Sequence, residues 1–167
     1  MNKLVREGLD FERVKDPHQA MGIGIRAQIE QWLKDMWVEN WVINDDLTID
    51  VDGYVYLECK NLITIPEFIQ FRRINGEFNI YENELISLKG CPINVTGNFW
   101  CNNNKLLSLE HSPLLVGASF GCSHNLINSL EGAPSSVGKN FYCRFNPTKF
   151  STEDVRKVCN VTETIYV

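Results

Sequence analysis

A repeat of fixed length dominates the sequence. Phenylalanine and asparagine each recur every 21 residues, in two columns. The members of these columns are Phe78, Phe99, Phe120 and Phe141, and Asn83, Asn104, Asn125 and Asn146. A period near twenty residues is typical of a solenoid, in which each coil buries its apolar side only against its neighbours. The sequence therefore predicts a stack of coils.

The other fixed positions carry the residue types that such a coil needs. The pattern Phe-x-Cys alternates with a period of two, so both side chains are predicted to point inward from a short strand. The column asparagines are predicted to hydrogen-bond to the backbone of adjacent coils. A looser first copy begins near Val55 and has Lys60 in place of the asparagine. The further columns are Ile80, Cys101, Cys122 and Cys143; Leu88, Leu109 and Leu130; Pro92, Pro113 and Pro134; and Val95, Val116 and Val137.

A solenoid exposes an apolar face at each end, and the flanking segments are predicted to cap these faces. Residues 25–36 carry an apolar stripe at helical spacing, with Met21–Gly24 as a turn before it. Asp52-Gly53 between two alternating runs predicts a β-hairpin. Ser151 is the expected N-cap of a short helix over 151–159, followed by a last strand in "TIYV". The predicted divisions are an N-terminal arm, mobile or used in docking (1–24), a helix and hairpin cap (25–54), the repeat solenoid (55–146) and a C-terminal cap (147–167).

Composition excludes several classes of protein. The formal charge is −5 and no lysine- or arginine-rich stripe occurs, so a nucleic-acid groove is not expected. No apolar run approaches the ~20 residues of a membrane helix. The N-terminus lacks a signal peptide, so we expect a cytoplasmic protein. In that compartment the six cysteines are expected to be small buried residues with free thiols, without metal or cofactor.

The full pattern Phe-x-Cys-x-x-Asn-x-Leu-x-Ser-Leu-x-Gly-x-Pro-x-x-Val-Gly resembles the short leucine-rich-repeat-like units of bacteria and large bacteriophages. The resemblance covers residues 55 to about 146, and Lys60 and His111-Ser112 depart from it. It implies an α/β solenoid, a short leucine-rich-repeat-like stack of parallel strands. It also implies a phage or bacterial origin and a surface used for binding.

The variable positions of the repeat, those whose residue type changes from coil to coil, include large aromatic residues. These residues are predicted to face solvent from the strands. Tyrosine, tryptophan and arginine dominate binding hot spots, so such residues on an open sheet suggest contact with a partner. The ring of Trp100 is expected to stand on the open sheet. The predicted partner-binding residues are Tyr56, Tyr81, Trp100, Tyr142, Arg144 and Phe145.

These observations favour a non-enzymatic module for protein–protein recognition. An enzyme is not expected, because the motifs do not assemble a convergent set of titratable groups. For a phage origin, the resemblance implies that the partner is a bacterial host protein, such as a defence enzyme, met in the host cytoplasm. The alternative is a structural or assembly protein that self-associates through the sheet or through the Trp37/Trp41 segment.

Overall fold

The structure, a computed structural model, describes residues 17–167 and shows a β-solenoid of about six parallel turns with ~21-residue repeats. The coils stack their strands into two sheets. In order across the seven-stranded sheet, the strands are β1 (Trp41–Ile43), β2 (Ile49–Val51), β4 (Phe71–Ile74), β6 (Asn94–Val95), β8 (Leu115–Val116), β10 (Ser136–Val137) and β12 (Asn160–Val161). Across the six-stranded sheet they are β3 (Val55–Tyr56), β5 (Phe78–Asn79), β7 (Phe99–Trp100), β9 (Phe120–Gly121), β11 (Phe141–Tyr142) and β13 (Ile165–Tyr166).

The predicted repeat register is the observed one. In the six-stranded sheet Phe78 pairs with Phe99, and Phe99 pairs with Phe120. The Phe-x-Cys strands point both side chains inward as predicted, because Phe99 and Cys101 are fully buried. The rings of successive phenylalanines stack with their centroids 5.6 Å apart. The core is therefore a column of rings that runs along the solenoid.

Each coil contributes a second strand, which the sequence analysis did not place. The column valines belong to the seven-stranded sheet, where Val95 pairs with Val116. A tight corner joins the two strands of a coil, and successive corners pack closely. A Cβ atom on Gly97 would lie 2.6 Å from the carbonyl oxygen of Gly76 in the coil before. A residue with a side chain does not fit there without backbone movement.

The asparagine column binds adjacent coils together, as predicted. The Nδ2 atom of Asn104 donates to the carbonyl oxygens of Ile80 (2.9 Å) and Cys101 (3.2 Å), in the preceding coil and its own. Its Oδ1 atom accepts from the backbone N–H of Leu85 at 3.0 Å. Lys60 can replace the asparagine in the first copy because β3 is the first strand of its sheet, so no coil in that sheet precedes it.

Helix α1 (Pro17–Asp35) caps the N-terminal end of the core. Ile29 and Leu33 are buried, and the ring of Trp32 lies 6.4 Å from that of Phe71. The helix begins before residue 25, so the turn predicted for 21–24 is wrong. A glycine weakens a helix by about 1 kcal/mol relative to alanine but does not end it. Of the predicted arm, residues 1–16 lie outside the described part of the chain.

The N-terminal hairpin lies earlier in the chain than predicted. Strands β1 and β2 pair antiparallel, and the turn between them closes with the N–H of Asn44 bonded to the carbonyl oxygen of Thr48 at 2.8 Å. The Asp52-Gly53 pair instead forms a corner between the two sheets, with Gly53 at φ 151°. The prediction failed because a corner and a hairpin turn need the same residue types.

The C-terminal end is capped as predicted. Helix α2 (Thr152–Val158) begins after Ser151, whose hydroxyl accepts from the N–H of Asp154, and the Asp154 carboxylate accepts from the Ser151 N–H. The strand expected in "TIYV" is β13, and β12 adds the last strand of the other sheet. Among residues 17–167, no helix has the length and apolar character needed to cross a membrane.

Candidate functional site

The outward face of the six-stranded sheet carries one row of residues, a single position from each coil. The strand register places these residues side by side across the sheet. The row consists of Tyr56, Asn79, Trp100, Gly121, Tyr142 and Tyr166. We call its four aromatic members, Tyr56, Trp100, Tyr142 and Tyr166, the aromatic row.

Trp100 does not stand free on the sheet as expected, because its ring lies across Gly121 of the next coil. A Cβ atom on Gly121 would lie 2.5 Å from Cε3 of Trp100 and 2.6 Å from Nδ2 of Asn102. The indole also tilts against the ring of Tyr142, with centroids 5.8 Å apart. Trp100 is half-buried as a result. The absence of a side chain at 121 therefore leaves the space that the indole occupies.

Tyr166 extends the aromatic row and was missed by the sequence analysis. Its ring stacks on that of Tyr142 with centroids 4.6 Å apart and planes 2° apart. The guanidinium of Arg144 lies 5.1 Å from the centre of the Tyr166 ring, in cation–π contact. The interval from Tyr142 to Tyr166 is longer than one repeat, so the column did not reveal it. The available signal was the apolar Ile165 directly before Tyr166, because Ile165 occupies the inward position of the strand and so places Tyr166 outward.

A second outward row runs beside the first and is tied to the backbone. It consists of Glu58, Tyr81, Asn102, Ser123 and Arg144. The Oδ1 atom of Asn102 accepts from the N–H of Ser123 at 2.8 Å, and the hydroxyl of Ser123 accepts from the N–H of Arg144 at 3.0 Å. These bonds hold the polar side chains in line, and Tyr81 and Arg144 flank the aromatic row as exposed side chains.

Phe145 lies outside both rows, on the turn that follows the strand. Its backbone has φ 59°, and the equivalent residues of the preceding coils, His124 and Asn103, are also left-handed. The ring is 71% exposed and stacks on the His124 ring, with centroids 4.3 Å apart. The structure thus brings together Tyr56, Trp100, Tyr142 and Arg144 on one face, with Tyr81 beside them and Phe145 on an adjoining turn.

The two ends of the face have opposite charge. At the first strand, burial and the carboxylates of Glu77 and Glu58, with Tyr54, raise the pKa of the Tyr56 hydroxyl. The Oε2 atom of Glu58 is buried and has no hydrogen-bond partner among the described residues. At the other end lies the exposed guanidinium of Arg144. A ligand on this face therefore meets an acidic end, an aromatic middle and a basic end.

Comparisons of the chain with protein-family models, with curated proteins and with solved structures found no match.

Proposed function

We propose that this protein is a non-enzymatic recognition module that binds another protein through the outward face of its six-stranded sheet. The observation that carries the proposal is the aromatic row, held in position by Gly121 and by stacking. Three of its rings, those of Trp100, Tyr142 and Tyr166, form one continuous contact series, which Arg144 extends. Aromatic and arginine side chains of this kind are enriched among binding hot spots.

The rigidity of the face favours affinity. Ordering a flexible side chain at an interface costs about 0.5–1.5 kcal/mol, and these rings are already ordered by their neighbours. The strands that carry Trp100 and Tyr142 each pair with a strand on either side, so a partner meets a preformed surface there. The backbone geometry thus supports binding without rearrangement.

The charges at the two ends of the face determine the orientation in which a partner would bind. Glu58 is half-exposed and offers a carboxylate at the β3 end of the face, where a cationic group of the partner would pair. Arg144 offers a cation at the opposite end, where a carboxylate of the partner would pair. The partner surface that fits is therefore apolar in its middle, basic beside β3 and acidic beside β13.

The source and setting of the interaction are a further part of the proposal. The likeness of the repeat to phage leucine-rich-repeat-like units supports a phage-encoded protein that acts on a host protein, a defence protein among the candidates, in the bacterial cytoplasm. This step depends on the resemblance alone.

Capture from bacterial lysate tests the proposed face. The tagged chain is compared with Trp100→Ala and with Leu115→Ala, which removes a 51% exposed apolar side chain from the outward face of the other sheet. We expect one protein, identified by mass spectrometry, to be captured by the wild type and by Leu115→Ala. Its affinity for Trp100→Ala should fall about 30-fold, the equivalent of ~2 kcal/mol for a central aromatic anchor. Equal capture by all three would exclude this face.

Light scattering on the purified chain tests the alternative. A monomer is expected if the face serves a different protein. An ordered oligomer that Trp100→Ala dissociates, with no captured protein, would instead show a self-assembling protein whose own copies occupy the face.

A further inference from the structure

Three successive coils carry a cysteine at the same inward position. Strands β9 and β11 pair with Phe120 opposite Phe141, and the same register places Cys122 beside Cys143. The N–H of Cys122 donates to the carbonyl oxygen of Tyr142 at 2.8 Å, which fixes this register beyond the strands. Adjacent strands lie about 4.8 Å apart, within the ~4.4–6.8 Å between Cα atoms that a disulfide requires.

The three thiols differ in access to solvent. Cys101 and Cys122 are fully buried, and Cys101 Sγ donates to the carbonyl oxygen of Gly121 at 3.1 Å. Cys143 lies nearer the end of the stack and is 3% exposed. It also lines an open groove of about 670 Å³. The groove residues around it include Arg144, Phe145, Asn146, Lys149 and Phe150.

The surroundings of Cys143 favour its thiolate. The neighbouring Cys122 thiol and then Asn146, whose Nδ2 atom lies 3.5 Å from the Cys143 sulfur, lower the pKa of Cys143 against the opposing effect of burial. Arg144 and Lys149 place positive charge along the groove. Burial raises the pKa of Cys122, so that thiol keeps its proton. The Cys143 sulfur is thus suited to attack an oxidant first, and the Cys122 sulfur is suited to react with the oxidised Cys143 afterwards.

We propose that Cys143 is an oxidation site for hydrogen peroxide entering the groove, and that Cys122 is its resolving thiol. The Cys143 thiolate attacks one peroxide oxygen, so a sulfur–oxygen bond forms, the oxygen–oxygen bond breaks and hydroxide leaves. The Cys122 sulfur then attacks the sulfenic sulfur, a disulfide forms and the sulfur–oxygen bond breaks. The Cys122 proton leaves with that oxygen as water. Two thiols and one peroxide give a disulfide and two waters.

Exposure of the native protein to hydrogen peroxide, followed by alkylation under denaturing conditions and peptide mass mapping, tests the assignment. We expect the six free thiols to fall to four, with a peptide pair linked through Cys122 and Cys143. Cys59 is the internal control, because its thiol is exposed, while the slight desolvation of the sulfur and the Glu82 carboxylate raise its pKa. Oxidation of Cys59 before Cys143, or a Cys101–Cys122 bridge, would overturn the proposal.

Two variants separate the roles of the thiols. In Cys122→Ser, peroxide should leave a sulfenic acid on Cys143 that dimedone traps, with no disulfide. In Cys101→Ser, the Cys122–Cys143 disulfide should form as in the wild type. If either variant fails to fold, the mapping of the wild-type protein still decides between the linkage and its absence.

Discussion

At the scale of single residues, the column asparagines replace hydrogen bonds that the turns of the backbone cannot make for themselves. Asn104 satisfies carbonyl groups in two coils and one N–H group, and it is buried. Each buried polar group left without a partner costs about 1–3 kcal/mol. The column is therefore a stabilising feature of the fold and takes no part in the proposed binding face.

Replacement of Asn104 by alanine should lower the free energy of unfolding by ~1–3 kcal/mol, because several backbone groups would lose their partner at once. Denaturant unfolding measures the change. Asn128→Ala is the control, since its side chain is exposed and lies outside the ladder. A loss for Asn128→Ala as large as that for Asn104→Ala would mean that the buried hydrogen bonds are not the cause.

Gly121 leaves the space that the Trp100 indole occupies on the proposed binding face. In Gly121→Ala the new Cβ would meet side-chain atoms of Trp100 and Asn102, which can move, so the fold should be retained. The displaced indole should weaken partner binding as Trp100→Ala does, and near-ultraviolet circular dichroism should report the movement. In Gly97→Ala the Cβ would meet backbone of the preceding coil, so that variant should lose stability instead. Unchanged binding by Gly121→Ala would separate the indole position from recognition.

At the scale of elements, the capping box of α2 makes one end of the solenoid sensitive to pH. Hydrogen bonds from the hydroxyl and the N–H of Ser151, and then from Lys157, lower the pKa of Asp154 from 3.8 to about 2. The folded-state pKa lies below the unfolded one, so the carboxylate stabilises the fold above pH ~4, and this contribution is lost as the pH falls to about 2.

The difference in unfolding free energy between the wild type and Asp154→Ala should therefore shrink as the pH falls from neutrality to about 2. Glu153→Ala is the control, because that exposed carboxylate lies in the same first turn outside the capping box. A difference for Asp154→Ala that stays constant over this pH range would show that the carboxylate charge does not support the cap.

The elements that could be predicted from the sequence are those whose residue pattern is compatible with only one local structure. The Phe-x-Cys strands, the asparagine ladder and α2 are such cases. The second sheet was missed because each of its two-residue strands contributes a single buried residue, such as Val95, whereas Phe-x-Cys repeats two inward residues and so shows alternation. Asp52-Gly53 suits either a hairpin or a corner, and only packing decides between them. Within the proposed binding face, Trp100 lies beside Gly121 because of the strand register between two coils. The repeat columns implied that register, but neither residue by itself indicated the contact.

At the scale of the whole molecule, stability is shared between neighbouring coils, because each coil contacts only the ones beside it. Strand pairing follows this rule throughout the repeat, as β7 pairs with β5 and β9 alone. Every interior coil presents the same two surfaces, with phenylalanine stacked on phenylalanine and asparagine bonded across coils. One interior coil should therefore be removable if the columns on either side meet again in register.

Deletion of residues 99–119 joins Asn98 directly to Phe120 and removes one whole 21-residue repeat. We expect this chain to fold cooperatively with lower stability than the wild type, because one coil–coil interface is lost. Deletion of residues 99–118 removes one residue fewer, and the extra residue would turn inward side chains outward on one side of the junction. That chain should lose most of its β-sheet circular dichroism signal or its cooperative thermal transition. If both deleted chains are unfolded, the register of the repeat columns across the junction is not what holds the stack together. If only the 99–119 deletion folds, the 21-residue repeat is itself the unit of stability.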